Sequence, residues 1–176
     1  MFDFLRVLIH FFDRHNIAYM LSGSVALSLY TQPRFTRDYD FIVHLAGEHI
    51  PLLLECFDKG YYLNDEAVKD TIRNKTMFNI IDHNSGYKAD FMILKNEPFR
   101  QSEFNRRKAV KFLDMNISIV SVEDLLVSKI IWIQETQSGV QMEDIKVLSR
   151  LDQLDWKYIN KWIVELNLKT FNLLEK

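Results

Sequence analysis

A chain of 176 residues that is 48% hydrophobic is long enough for one core with a helical appendage. Its formal charge of −2 argues against broad, nonspecific adhesion to nucleic acid but not against a local basic patch. The single cysteine, Cys56, rules out an internal disulfide and, read as a buried thiol, suits a reducing compartment; five glycines and three prolines leave no linker or low-complexity tract, and no internal repeat is present.

The first stretch, MFDFLRVLIHFFDRH, is too short and too amphipathic for a membrane span and lacks a small-residue cleavage site. A cytoplasmic protein without membrane contact is expected. Phe2, Leu5, Leu8, Ile9 and Phe12 trace one face of a helix, with Arg6 and Asp13 off it and Asn16 at its end. Residues 17–21 read as a short buried strand and residues 24–30 as a helix, broken by Thr31-Gln32-Pro33. Between them lies Ser22-Gly23-Ser24. A strand, a tight turn and a helix start leave free backbone N–H groups at the positive end of a helix dipole, which is a site for phosphate. Gly23 permits the turn and close backbone approach. Ser24 can cap the helix or bind a phosphate oxygen.

The segment Asp38-Tyr39-Asp40-Phe41-Ile42-Val43 alternates. On a strand, Asp38 and Asp40 share one face and Tyr39 and Phe41 the other, the core side. Two carboxylates about 6–7 Å apart on a strand face repel by roughly 2–3 kcal/mol at an effective dielectric near 20. Arg34 and Arg37, just upstream, or a divalent cation can offset this. Mg²⁺ takes oxygen ligands and commonly binds through one or two carboxylates together with phosphates.

Further along, residues 50–58 form a helix with Pro51 in its first turn, Leu53, Leu54 and Phe57 inward and Gly60 at its end. Residues 61–63 suit a brief strand and residues 66–73 a short polar helix. Residues 76–82 are a strand, His83-Asn84-Ser85-Gly86 a hairpin turn, and residues 87–94 the returning strand. Asp90 stands among apolar neighbours in that strand. A buried, unpartnered aspartate costs several kcal/mol. It is either the salt-bridge partner of Lys88 on the same face or a third carboxylate facing Asp38 and Asp40.

Residues 99–111 carry Arg100, Arg106, Arg107, Lys108 and Lys111, either a solvated face or a contact for a phosphate-bearing acceptor. Residues 110–113 and 117–120 read as a hairpin through Asp114-Met115-Asn116. Ser121 is an N-cap, followed by Glu123 and Asp124 in the first turn of a helix to about residue 137. Lys129 interrupts its apolar side, either snorkelling to the surface or standing as a cation near phosphate. Residues 141–151, 155–166 and 169–174 are expected helices. Glu143 and Asp144 read as capping or dipole partners, and Trp132, Trp156 and Trp162 as core or interface aromatics.

Taken together, Gly23-Ser24, the spaced Asp38-Tyr39-Asp40 and the apolar-flanked Asp90 resemble the signature of the DNA polymerase β-like nucleotidyltransferase superfamily. The string Met20-Leu21-Ser22-Gly23-Ser24-Val25-Ala26, then Arg34-x-Thr36-Arg37-Asp38-Tyr39-Asp40, resembles more narrowly the small bacterial proteins related to AbiEii-type toxins. Residues 122–129 and Glu143-Asp144-Ile145 resemble their later helices. Two departures are Tyr39, where a smaller aliphatic residue is usual, and Ser24, where the narrower group often has glycine.

The resemblance implies an α/β (α+β) fold: a mixed sheet flanked by helices, with a nucleotidyltransferase core over residues 1–120 and a C-terminal helical extension over residues 121–176. It implies Asp38, Asp40 and Asp90 as catalytic metal ligands for two Mg²⁺ ions (Mn²⁺ being the alternative). Asp90 would also help deprotonate the acceptor. Ser22, Gly23 and Ser24 would hold the phosphates of an NTP substrate, with Lys129 and Arg37 adding positive charge. Three readings follow. The first is a Mg-dependent nucleotidyltransferase that moves an NMP to RNA or tRNA, a protein or a small molecule. The second is a toxin–antitoxin or regulatory component that binds a partner without transfer. The third is an unrelated α/β domain whose aspartates serve turns and salt bridges.

Overall fold

The computed structural model describes residues 2–174. Its elements run α1 (Asp3–Arg14), β1 (Tyr19–Ser22), α2 (Gly23–Tyr30), β2 (Asp38–Val43), a 3-10 turn (Gly47–His49), α3 (Ile50–Cys56), β3 (Tyr61–Tyr62), α4 (Asp65–Asn74), β4 (Met77–Asp82), β5 (Lys88–Ile93), α5 (Pro98–Asn105), β6 (Lys108–Phe112), β7 (Met115–Ile119), α6 (Val122–Trp132), α7 (Gly139–Ser149) and α8 (Trp156–Glu165). The strands form one seven-stranded sheet in the order β3-β4-β5-β2-β1-β7-β6. It is mixed: β2 pairs in parallel with β5 and β1 with β7, while the β1–β2, β3–β4, β4–β5 and β6–β7 pairs are antiparallel. The expected α/β architecture, a mixed sheet flanked by helices, is present.

The period of two along the central strands divides the apolar residues between two layers. On one face, Tyr39, Phe41, Ala89, Phe91 and Leu21 meet Phe4, Leu8 and Phe12 of α1, Leu53 of α3 and Val68 of α4. Phe91 stacks on Phe78 with ring centroids 4.8 Å apart, and the edge of Phe12 meets Phe41. On the other face, Met20 and Ile42 lie under Leu126 and Ile130 of α6, Ile145 and Leu148 of α7 and Ile159 and Trp162 of α8. The second layer covers only part of its face. The starts of β2 and β5 carry Asp38, Asp40, Lys88 and Asp90 there instead of apolar residues.

Several local expectations need correction. Residues 98–105 form α5, started by Pro98 in its first turn. The basic run over this helix is not a solvated face. Arg100 Nη1 lies 2.9 Å from Glu103 Oε2 and donates to Ser128, and Arg106 Nε lies 3.0 Å from Asp124 Oδ2. Burial pushes the Glu103 carboxyl up from the usual range, against the neighbouring Arg100 charge and the Ser128 hydrogen bond. Only Lys108 and Lys111 are left exposed, on the edge strand β6, where lysines discourage edge-to-edge pairing.

The hairpin turn falls one residue early. Leu113 takes a left-handed conformation and Met115 already pairs with Phe112. Helix α6 stops at Trp132 because Gln134 folds back, its Nε2 donating to the Ile130 and Lys169 carbonyls. Residues 169–174 form turns rather than a helix, with Phe171 and Asn172 at positive φ. Cys56, at the end of α3, is exposed rather than buried, since Leu53 and Phe57 take the inward positions. Trp162 is core, whereas Trp132 is exposed.

The helices α5, α6 and α8 are clasped by one carboxylate. Asp124 is fully buried and accepts hydrogen bonds from Arg106, Ser121 and Tyr158. The Arg106 guanidinium also lies 3.9 Å from the centroid of the Tyr158 ring. Removing one partner of a buried ion pair costs about 3–5 kcal/mol, and the partial solvent access of Arg106 argues for the lower end. Asp124→Ala is therefore expected to lose about 3 kcal/mol in urea denaturation. A loss within about 0.5 kcal/mol, the scatter of surface substitutions, would show that the clasp contributes little.

Candidate active site

The site begins where β1 hands over to α2. Ser22 is extended, Gly23 has φ +60°, and the chain turns at once into helix. Both features require glycine here. A left-handed backbone is strained for any residue with a Cβ, and a Cβ built on Gly23 would lie 1.8 Å from Asp40 Oδ2. The Asp40 carboxylate thus packs directly onto the turn. The first turn of α2 has backbone N–H groups without helical partners.

Strand register then assembles a row. Ser22 pairs with Asp40, Asp40 with Asp90, and Asp90 with Asn79. One step along, Asp38 pairs with Lys88. By alternation Asp38, Asp40, Lys88 and Asp90 all face the same side, and Tyr39 and Phe41 are buried on the other. Both explanations offered for Asp90 are therefore realised. It stands beside Asp40, and Lys88 Nζ lies 2.8 Å from its Oδ2 and 3.7 Å from Asp38 Oδ1. Asp90 is 8% exposed, and its other oxygen, Oδ1, is buried without a hydrogen-bond partner. Burial, and then the charges of Asp90 and Asp38, push the Asp40 carboxyl above its ordinary range, against Lys129 and Lys88.

The opposite wall comes from α6 and α7. Lys129 is 5% exposed, so it does not snorkel. Its Nζ donates to Asp144 Oδ2 at 2.8 Å and to Gln141 Oε1 at 2.9 Å. Burial pulls its ammonium below the ordinary lysine value, and Asp144 and Asp40 oppose this. Asp144 also receives Arg34, with Nη2 3.1 Å from Oδ2, and Arg34 reaches on to the Ser24 hydroxyl. Arg34 therefore braces the glycine turn against α7 rather than neutralising Asp38 and Asp40. Arg37 is exposed. Its guanidinium lies 5.7 Å from the centroid of the Phe35 ring, and it makes no ion pair among the described residues.

Of the residues singled out by sequence, Ser22, Gly23, Asp38, Asp40 and Asp90 come together, Ser24 and Lys129 border them, and Arg37 stands apart on the loop before β2. Asp144, expected as a capping or dipole partner, anchors two cations instead. The signal was its place at i+3 in the stripe Gln141, Asp144, Ile145, Leu148, an inward position on a helix. Asn79 comes to lie opposite Asp90 only through cross-strand register, which one strand's sequence does not show. Among the described residues, no three His, Cys, Asp or Glu side chains are gathered into a ready cation cage. The oxygens able to serve a hard divalent cation are those of Asp40, Asp38 and the unpaired Asp90 Oδ1.

No family model matches the chain, and no curated protein matches it. Among solved structures, it is similar to the lincosamide antibiotic adenylyltransferase LnuA in its lincomycin-bound form, with 15% identity and a TM-score of 0.58 over 84% of this chain and 96% of that one. It is similar to ANT(2'')-Ia in complex with adenylyl-2''-tobramycin, with 12% identity and a TM-score of 0.63 over 93% and 95% of the two chains. It is also similar to an antigenic nucleotidyltransferase-like protein from Paracoccidioides brasiliensis, with 16% identity and a TM-score of 0.56 over 91% and 84%. The chain has the nucleotidyltransferase fold. Among the described residues, no helix is long and apolar enough to cross a membrane.

Proposed function

We propose that this chain is a nucleotidyltransferase that moves a nucleoside monophosphate from an NTP to an acceptor hydroxyl. The observation that carries this reading is the row Ser22–Asp40–Asp90 beside the Gly23 turn, with a buried carboxylate oxygen left unpaired. An orphaned buried oxygen is costly, and a carboxylate held against its neighbours' charge is equally so. Both fit a cationic ligand with hard oxygen preference. Asp38 and Asp40 are the proposed holders of Mg²⁺, with Asp90 joining them. When bound, such ions neutralise charge on the attacking and leaving oxygens of an in-line displacement.

The protein's own groups account for the remaining requirements. The backbone N–H groups of Gly23 and Ser24 at the helix start, with the Ser22 hydroxyl beside them, receive the β- and γ-phosphates. Lys129 supplies fixed positive charge in a dry wall, where it is most effective as charge builds on departing pyrophosphate. Arg37, exposed on the loop before Asp38, adds a mobile cation at the rim. The acceptor oxygen attacks the α-phosphorus, and the bond from that phosphorus to the oxygen bridging the α- and β-phosphates breaks. The acceptor's proton passes to the Asp90 carboxylate, and pyrophosphate leaves.

The acceptor class follows from what the surface offers. Arg100 and Arg106 are committed to internal acids, so the basic run no longer favours RNA. Two neighbours in fold are named for antibiotic adenylylation or hold an adenylylated aminoglycoside, which supports a hydroxylated small molecule. Incubation with each of four α-³²P-NTPs, Mg²⁺ and separate acceptor pools (aminoglycosides and lincosamides, total RNA, lysate protein) tests this. Label in the small-molecule pool supports the reading. Label only in RNA or protein moves the acceptor. Mg–NTP binding with no pyrophosphate release from any pool makes the chain a binding component of the toxin–antitoxin or regulatory kind.

Lys129 gives a sharper check. Losing one charge-assisted phosphate contact costs about 1.5–3 kcal/mol, so Lys129→Ala is expected to weaken Mg–ATP binding about tenfold or more in calorimetry. Equal affinity in the two proteins would remove Lys129 from the phosphate site.

A further inference from the structure

Lys88 occupies an unusual place for a cation in such a site. It stands two residues before Asp90 on the same strand face and directly opposite Asp38. Its ammonium bridges Asp90 and Asp38 at 2.8 and 3.7 Å, the region a divalent ion shared by those carboxylates would fill. We propose that Lys88 is a built-in counter-ion that competes with divalent metal for Asp38 and Asp90, so that metal loads strongly only together with nucleotide. This rests on the metal-site reading given above and adds how the site discriminates between the free ion and its nucleotide complex.

Like charges cannot share the space between two carboxylates. A metal bridging them must move the ammonium, and that move forfeits an ion pair to a buried carboxylate. Asp90 Oδ1 has no such occupant, because Lys88 takes only Oδ2. Free metal therefore meets a site that is already half neutralised. The nucleotide changes the balance. Lys88 is about one-third exposed and has a flexible stem, so its ammonium can turn from the carboxylates to an incoming phosphate on the same face. The phosphate thereby restores the charge partner that the metal takes away. The two ligands become mutually favourable, and that coupling is necessarily reciprocal.

The test measures Mn²⁺ binding by electron paramagnetic resonance, with Mn²⁺ alone and with an ATP analogue carrying a methylene α,β-bridge. In the wild type, Mn²⁺ is expected to bind at least about tenfold more tightly in the presence of the analogue than either ligand's separate affinity for the other and for the protein accounts for. In Lys88→Met, Mn²⁺ alone is expected to bind about tenfold more tightly than to the wild type, the scale of one relieved charge at a partly exposed site. Lys88→Arg, which keeps the charge, should bind Mn²⁺ alone no more tightly than the wild type. Measurable Mn²⁺ binding with equal or lower affinity in Lys88→Met overturns the counter-ion role alone and leaves the metal site standing. Should Lys88→Met not fold, wild-type Mn²⁺ affinity that is indifferent to the analogue overturns it equally. No Mn²⁺ binding to either protein, with or without analogue, overturns both readings.

Discussion

Asp40→Asn is expected to lose transfer by about a thousandfold or more while making the metal-free protein more stable at neutral pH. The first effect follows from the position of Asp40 between Ser22 and Asp90 and against Gly23. A ligand worth about 4 kcal/mol in the transition state corresponds to about three orders of magnitude in rate. The second follows from electrostatics. Burial and the charges of Asp90 and Asp38 raise the Asp40 carboxyl in the folded state. The folded protein therefore resists its ionisation more than the unfolded chain does.

A group whose folded value is raised contributes its stability fully below its unfolded value, and that contribution is lost as pH rises through the folded value. At neutral pH the charged Asp40 thus burdens the fold, and the neutral isostere removes that burden. If about 1 kcal/mol is relieved, Tm rises by about 2–4 °C for a chain of this size. In EDTA, the stability difference between wild type and Asp40→Asn should shrink as pH falls through the raised folded value of Asp40. Comparing the two proteins cancels the parallel contribution of Glu103, whose carboxyl is also raised. Unchanged labelling from α-³²P-NTP in Asp40→Asn would remove Asp40 from the chemistry. A variant no more stable than wild type at pH 7, with the same pH profile, would show that the carboxylates do not strain the fold.

Gly23→Ala is the second large effect. A methyl here meets two separate penalties. Positive φ costs about 1 kcal/mol for a residue with a side chain, and the new Cβ lies 1.8 Å from Asp40 Oδ2, 2.5 Å from its Cγ and 2.9 Å from its Cβ. Overpacking of this sort costs about 1–3 kcal/mol, for an expected total of about 2–4 kcal/mol in urea denaturation. Combining it with Asp40→Gly separates the two. The steric part vanishes in the double variant and the backbone part stays, so the cycle should show a coupling of about 1–3 kcal/mol. Additive single effects would mean that the Gly23 turn and Asp40 do not touch in solution. The same contact explains why the Gly23 turn and the carboxylates form one unit, since neither can shift without the other.

Alternation alone already paired Lys88 with Asp90; the second contact of Lys88, to Asp38, and the role of Asp144 depend on partners chosen by packing. Asp144 meets Arg34 across 110 positions of sequence, and because α7 starts at Gly139 rather than Gln141 it lies beyond the first turn, the place where an acid is ordinarily a dipole partner. The basic run of α5 misled for the same reason. Arg100 and Arg106 look solvated in sequence; Arg100 meets Glu103 of its own helix three residues on, but only the docking of α6 and α8 brings Ser128 to it and Asp124 and Tyr158 to Arg106. Residues 169–174 lost their expected helix to two left-handed positions in a stretch too short to hold a helix by propensity alone.

What the sequence determined by itself was everything governed by spacing within one element. Period-two alternation placed Asp38 and Asp40 on one face and Tyr39 and Phe41 in the core, Gly23 marked the tight turn, and Asp90 stood out as a charge in an apolar strand. What only the tertiary structure decided was register and pairing: Asp40 opposite Asp90 rather than one residue away, Lys88 between Asp38 and Asp90, and Lys129 held by Asp144. The division has a physical reason. Alternation is a property of a single strand's backbone geometry, whereas register and ion-pair partners are set by the joint packing of β1, β2 and β5 with α6 and α7, whose free energy is shared among residues far apart in the chain.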